Sequence, residues 1–390
     1  MMYPPEFKKF LLRVAIFASP IVLMLGTLEF LAQYSGELMP LSTVVKRQFQ
    51  TQIPVLFGRE VVDQELSRYK YLVLSALSPD VVALGSSRVM QMRQEMFPQV
   101  TFYNAGGMIH GLGELSEFTE IYRPAIKPRI IFFGIDHYWF GHKRDIVSTP
   151  ILGEQGNDPV KQWPAHLYTF RYLAKQLLKN PSSVSHIFSG RESFGDALAI
   201  GLQALYGNGF RTDGSYQYAT YLQETREKML YRDRESPPIV QRVRNGVRQF
   251  PYDSKFVADR LSIIDEFLEF SHRNGIEVAG FLPPMSSEVY NAIMTSPHHR
   301  GLLLETARQL PAVFKKYGYV FSDYSKLDKL SLTDLNMFDG LHPTETAISR
   351  IILDLLKQGV GQTILPTKSI VKHLSSHLNN GKSRPTEIAW

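Results

Sequence analysis

Four short clusters hold the residue types that could do chemistry. They are Gly85-Ser86-Ser87-Arg88, Asn104-Ala105-Gly106-Gly107, Gly134-Ile135-Asp136-His137 and Asp339-Gly340-Leu341-His342-Pro343. The first three each follow a short apolar run that reads as a β-strand, and the fourth precedes a helical stretch. In a parallel sheet, functional loops gather at the carboxyl ends of the strands. Ser87 would then sit where strand turns into helix, its hydroxyl exposed, with backbone N–H groups nearby able to hold an oxyanion. Glycines suit such a place because a backbone N–H can approach a reacting carbonyl only where no Cβ intervenes. Each cluster also has a plainer reading. Gly-Ser-Ser makes a good turn, and Asp339 to Glu345 fits a helix start. Asn104 fits a turn cap as well as a substrate contact. Arg88 could bind an anionic group or be an ordinary surface arginine, and His137-Tyr138-Trp139 could stack on substrate or lie in the core.

The elements that must position these clusters alternate between strand and helix. Val81 to Leu84, Val100 to Tyr103, Arg129 to Phe133, Glu277 to Leu282 and Tyr319 to Phe321 read as strands. Arg88 to Met96, Gly111 to Tyr122, Phe256 to Phe270, Leu302 to Lys316 and Thr344 to Leu356 read as helices. Short, fully apolar strands between helices predict a parallel sheet of about five strands in a three-layer α/β sandwich. Residues of about 141 to 250 interrupt the rhythm as a mostly helical insertion (Leu167 to Leu178, Phe194 to Tyr206). Its Gly207-Asn208-Gly209 is a turn, and Arg232 to Pro238 a solvated loop. The insertion belongs to the α/β domain of 79–365, because two strands follow it. Residues 366–390 are polar and predict a loosely held tail.

Ahead of the domain stand an anchor, 1–35, and a linker, 36–78. Lys8, Lys9 and Arg13 precede an apolar stretch, and Phe10 to Ala32 is 23 residues, long enough for about 30 Å of hydrocarbon if Arg13 and Glu29 reach the interfaces. A cleavable signal shares the charged start and apolar middle, but Ala32-Gln33-Tyr34 is a poor cleavage site. Positive residues before the span predict a cytoplasmic N-terminus and an extracytoplasmic remainder. The 390 residues carry a net charge of +6, scattered rather than striped, with no aromatic-plus-basic nucleic-acid motif. Cysteine is absent, which excludes disulfides, thiolate zinc sites and cysteine nucleophiles. His373 and His377 have helical spacing but no third ligand nearby, and no strand is followed by a phosphate-binding glycine pattern. No metal and no cofactor are expected.

In their order and placement the clusters resemble the blocks of the SGNH, or GDSL-like, hydrolase superfamily, from about residue 80 to 357 with the insertion excepted. The resemblance implies Ser87 as nucleophile, His342 as general base and Asp339 as the group orienting the imidazole. It implies Gly106 and the Ser87 N–H as oxyanion donors, with Gly107 a substitute. Two positions depart from the pattern: Ser86 stands where Asp is usual, and Asp136 where the oxyanion Asn is expected. A carboxylate cannot donate to an oxyanion unless protonated. His137 or a backbone amide would have to serve instead, or Asp136 positions another residue. A Gly-Ser-Ser start on a membrane-anchored chain is more similar to the subgroup serving bacterial cell-envelope polymer acylation than to secreted lipases. That implies an O-acyltransferase or esterase acting on a glycan or envelope polymer, held at the membrane lipid and served by a membrane-embedded acyltransferase. The alternative is a non-catalytic glycan-binding or assembly subunit that kept the fold.

Overall fold

The structure, a computed structural model, describes residues 5–59, 65–121, 126–143, 159–179, 185, 187–188, 197–219 and 237–380. The chain is mixed α/β and divides into two compact units, residues 1–64 with 154–209, and 65–153 with 210–390.

The larger unit is built on a five-stranded parallel sheet. Its strands are β1 (Val81–Gly85), β2 (Phe102–Gly106), β3 (Ile130–Gly134), β4 (Glu277–Leu282) and β5 (Phe321–Asp323), in the order β2-β1-β3-β4-β5. Every residue of β1, β2 and β3 is buried, as strands without a solvent face must be. Neighbouring residues of β3 serve opposite faces. Phe132 packs on Phe97, centroids 5.6 Å apart, while Phe133 meets Phe267 edge-on at 5.2 Å. Phe267 lies on helix Leu261–Arg273, whose buried Ile264, Phe267, Leu268 and Ser271 recur at one helical face. Helix Glu345–Lys357 buries Ile348, Ile351, Ile352 and Leu355 in the cluster holding Phe132, Val81 and Phe281.

Several expectations change. The polar tail begins with a folded helix, Thr367–Leu378, which drives Ile370 and Leu374 into that same core; both are fully buried. Residues 381–390 lie outside the described residues. The stretch read as a linker carries helix Leu41–Gln50, strand Val55–Phe57 and helix Leu66–Leu77. Within the insertion, helix Pro159–Lys179 contains the expected Leu167 to Leu178. Phe194 to Tyr206 is not an α-helix where described: Leu198–Ile200 pairs in parallel with Val55–Phe57, and Ala204–Tyr206 is a single 3₁₀ turn. Asn208–Phe210 is strand rather than turn. The insertion divides between the units at Gly209. Of Arg232 to Pro238, residues 232–236 lie outside the described residues.

The N-terminal helix, Pro5–Tyr34, is long and apolar enough to cross a membrane, at a mean hydropathy of 2.0 over its most apolar stretch. In the smaller unit it buries only its last turns: Leu28, Leu31 and Ala32 pack with Phe170, Leu173, Leu202 and Leu205.

Candidate functional site

Parallel register brings Gly85, Gly106 and Gly134 side by side at the carboxyl edge of the sheet. The chain leaves β1 through Gly85, at φ +142°, where an added Cβ would lie 2.5 Å from the Gly134 carbonyl oxygen. It then forms not the expected α-helix Arg88 to Met96 but two 3₁₀ turns, Ser87–Val89 and Gln94–Met96. The reason lies in where the carbonyls go. Asn104 Nδ2 donates to Val89 O and Met92 O, both at 2.8 Å, and Tyr216 N donates to Met90 O at 3.0 Å. Val89 O also accepts from Met92 N at 3.0 Å, so these carbonyls are held by a tight i→i+3 turn and by cross-links to other segments.

The row of glycines turns out to make room for this turn. A Cβ on Gly106 would come within 2.8 Å of Val89 Cγ2, and one on Gly134 would strike Val89 Cγ1. Val89 is fully buried on the space they leave. Gly106 N donates to Asn104 Oδ1 at 2.7 Å and Gly107 N to Gly85 O at 2.9 Å. Both amides are therefore engaged, and neither is open to the oxyanion role expected of it. The Ser87 N–H, at the start of its turn, has no intrahelical partner. Asn104 is wholly buried and ties the Ser87 turn to β2 rather than facing a substrate. Its own carbonyl accepts from Lys70 Nζ at 2.8 Å, a fully buried amine whose pKa burial lowers well below the usual lysine value, and which also donates to Gly214 O.

Ser87 Oγ lies 2.8 Å from His342 Nε2, and His342 Nδ1 lies 2.6 Å from Asp339 Oδ2. Asp339 Oδ1 accepts the backbone N–H groups of Leu341 and His342 at 2.7 and 2.8 Å. Burial alone would raise the Asp339 pKa, but the adjacent His342 and these hydrogen bonds hold it below the ordinary carboxylate value. An ionised Asp339 can only accept, so Nδ1 carries the ring proton and Nε2 is left to take the proton of the Ser87 hydroxyl. Phe338 N donates to His342 O at 2.9 Å, and a bridge from Met337 to Pro343 closes the loop beneath the ring. Thr344, not Asp339, stands at the N-cap of helix Glu345–Lys357.

Asp136 has the last of the roles left open for it. Arg88 Nη1 lies 2.6 Å from Asp136 Oδ1, and Tyr138 Oη donates to Oδ2 at 2.7 Å. Burial would raise the Asp136 pKa; the Arg88 charge and hydrogen bonds from Ser86, Tyr138 and Arg88 outweigh it and lower it. Arg88 also donates through Nη2 to Pro283 O and Pro284 O at 2.7 and 2.8 Å, and through Nε to Leu341 O at 3.2 Å. Arg88 is 2% exposed, so it is neither a surface arginine nor open to an anionic ligand. His137 is buried among Tyr138 and Phe250, and burial first, then the Arg88 charge, holds its pKa down to about 3. It is a neutral histidine of the interior.

Two contributors were not foreseen. Tyr218 places its ring 6.3 Å from that of His342 and 4.8 Å from Phe338, on a segment whose sequence carries no motif. Pro283-Pro284, read only as a strand stop, supplies two carbonyls to Arg88. Among the described residues no group of three His, Cys, Asp or Glu could hold a metal, and His373 and His377 lie on helix Thr367–Leu378. Comparison with protein-family models, curated proteins and solved structures gives no match.

Proposed function

We propose that the chain is a serine-dependent O-acyltransferase or esterase of the SGNH type, its sheet and covering helices forming a three-layer sandwich. The observation carrying this reading is the continuous chain Ser87–His342–Asp339, with distances of 2.8 and 2.6 Å and a ring tautomer set by the carboxylate. Ser87 Oγ attacks an ester or thioester carbonyl while His342 Nε2 takes the hydroxyl proton. The leaving group departs with that proton, giving an acyl-Ser87 intermediate. A sugar hydroxyl or water then attacks the acyl carbonyl, its proton passing to His342 Nε2 and from there to the departing Ser87 Oγ. With the Gly106 and Gly107 amides engaged, the Ser87 N–H is the oxyanion donor this site offers.

The apolar helix Pro5–Tyr34, with Lys8, Lys9 and Arg13 ahead of its core, supports a single-pass bacterial membrane protein facing outward. A glycan or envelope polymer follows as acceptor, with a membrane-embedded acyltransferase as donor. The engaged glycine amides favour a second reading, a glycan-binding or assembly subunit that kept the fold without turnover. A serine-directed phosphonate and a chromogenic acetate ester separate the two. The catalytic reading expects labelling at Ser87 and ester turnover, both lost in Ser87→Ala. If the wild type is neither labelled nor active, and Ser87→Ala still restores a deletion strain, the second reading stands in its place.

A further inference from the structure

The smaller unit leaves a graded surface around its apolar helix. From Phe10 to Thr27 the helix Pro5–Tyr34 is almost entirely exposed, with Phe17 at 82%. These 18 residues span about 27 Å, close to the roughly 30 Å of a bilayer's hydrocarbon. Burial begins abruptly at Leu28, so the helix would leave the hydrocarbon where helix Pro159–Lys179 is packed against it. Phe170 and Leu173 of that helix join Leu28, Leu31 and Ala32, and His166 Nδ1 lies 3.9 Å from Glu29 Oε2.

Among the described residues, no element covers the opposite face of helix Pro159–Lys179. Leu167, Tyr168, Arg171, Lys175 and Leu178 are all exposed, and at 100° per residue they share one arc of about 100°. Leu178 is 86% exposed. At the end of the N-terminal helix, the rings of Phe30, Tyr34 and Phe188 lie 5.2 to 6.4 Å apart, each about half exposed. Two leucines, a tyrosine and two cations on one face suit neither water nor hydrocarbon alone. They suit the boundary between lipid headgroups and acyl chains, where aromatic rings and basic side chains concentrate.

We propose that this face, with the Phe30–Tyr34–Phe188 cluster, lies in the headgroup–acyl boundary of the bilayer that helix Pro5–Tyr34 crosses. Leu167 and Leu178 enter the acyl region and Arg171 and Lys175 meet anionic headgroups. The proposal rests on the membrane-spanning reading of the N-terminal helix and is independent of the chemistry at Ser87.

Because the chain has no cysteine, single-cysteine variants of the full-length protein can carry an environment-sensitive fluorophore at chosen sites. Phe17→Cys reports the span, Leu167→Cys and Leu178→Cys the proposed face, and Leu304→Cys is an exposed apolar control on the larger unit. The proteins are placed in phosphatidylcholine vesicles, with and without phosphatidylglycerol, containing lipids brominated along the acyl chain. The labels at Phe17, Leu167 and Leu178 should lose about half or more of their emission, and Leu304 almost none. Adding Arg171→Gln with Lys175→Gln should reduce quenching at Leu178 in the anionic vesicles only. Quenching at Phe17 without quenching at Leu167 and Leu178 overturns the proposal and leaves the span intact. A Leu178 label shielded from water yet not quenched means that protein covers the face, which also overturns it. A label at Phe17 that stays unquenched removes the spanning reading itself.

Discussion

Arg88 Nη1 meets Asp136 Oδ1 at 2.6 Å inside the protein, and the same guanidinium donates from Nε to the carbonyl of Leu341, the residue before His342. One side chain therefore joins the turn that carries Ser87 to the loop that carries His342. Asp136, where an oxyanion donor would be expected, instead balances the charge of this tie.

Removing either partner leaves an uncompensated buried charge, which costs about 3–5 kcal/mol. Asp136→Asn should accordingly lower the thermal midpoint of the full chain in detergent by many degrees. Arg88→Lys keeps the charge, but three donors on a single nitrogen cannot reach the four acceptors that the guanidinium fork spans, Asp136 Oδ1 and the carbonyls of Pro283, Pro284 and Leu341. It should fold, while phosphonate labelling of Ser87 slows by about 10- to 100-fold through lost alignment. The apolar pair Arg88→Met with Asp136→Leu should recover much of the stability and none of the labelling rate. Labelling restored together with stability would show that the tie supports the fold alone.

The two oxygens of Asp339 have different duties, which makes Asp339→Asn a sharp test of the tautomer. An asparagine can keep Oδ1 on the Leu341 and His342 amides, and must then point its NH₂ at His342 Nδ1. The ring would take the other tautomer, with Nε2 protonated and unable to accept from Ser87. Labelling should fall by about four orders of magnitude with the fold unchanged. Wild-type labelling by this variant would mean that the carboxylate does not set the ring.

Gly134 leaves the space that Val89 fills. In Gly134→Ala the new methyl strikes Val89 Cγ1, so the Ser87 turn must lift from the sheet edge. The expected cost is about 1–3 kcal/mol, typical of overpacking in a close-packed interior. Val89→Ala added to it removes the clashing methyl and should return part of that loss, a coupling measurable as a double-mutant cycle. Strict additivity of the two changes would place the constraint elsewhere.

The fold is legible in the sequence where the signal is local and hidden where it depends on distant residues. Glu277 to Leu282 coincides with β4, and Val81 to Leu84 falls one residue short of β1, because a continuous apolar run ended by Gly or Pro marks a buried strand by itself. Residue type and order single out Ser87, Asp339 and His342, which the fold brings within hydrogen-bond distance of one another. The role of Arg88 was not, because it is defined by Asp136, Pro283, Pro284 and Leu341, groups far apart in the chain. Strands of three residues, such as Leu198–Ile200, are too short to show a period. Asn104 fits a turn cap or a substrate contact by sequence, and only the fold shows its amide donating to the carbonyls of Val89 and Met92.

His137 gives the stability a pH dependence whose sign can be worked out. Its pKa is about 3 in the folded chain and about 6.5 unfolded, so between these values the unfolded state holds a proton that the folded state does not. Its contribution is complete above about pH 6.5 and is lost progressively as pH falls toward 3. Asp136 and Asp339 have lowered pKa values, and their contributions are lost only below the ordinary carboxylate range. His137→Phe should therefore flatten the thermal midpoint between about pH 6.5 and 4.5, while leaving the steeper loss at lower pH in place. An unchanged slope in that window would mean that His137 titrates near its ordinary value.

The helix Thr367–Leu378 is polar enough to pass for a tail, yet its stability follows from two side chains. Ile370 and Leu374 are one helical turn apart, fully buried, and part of the cluster that includes Ile348, Ile351 and Ile352. His373 Nε2 lies 2.9 Å from the Glu95 carbonyl, on the segment that follows the Ser87 turn, so the helix also braces the nucleophile side of the sheet. Leu374→Ala should cost about 2–5 kcal/mol, as for any fully buried leucine. Lys368→Ala, a polar change on the same helix, should cost almost nothing. A chain ending at Leu365 would uncover the apolar surface of helix Glu345–Lys357, and should bind an apolar dye or aggregate where the full chain does not. A truncation that melted with the full chain would return these residues to the status of a tail.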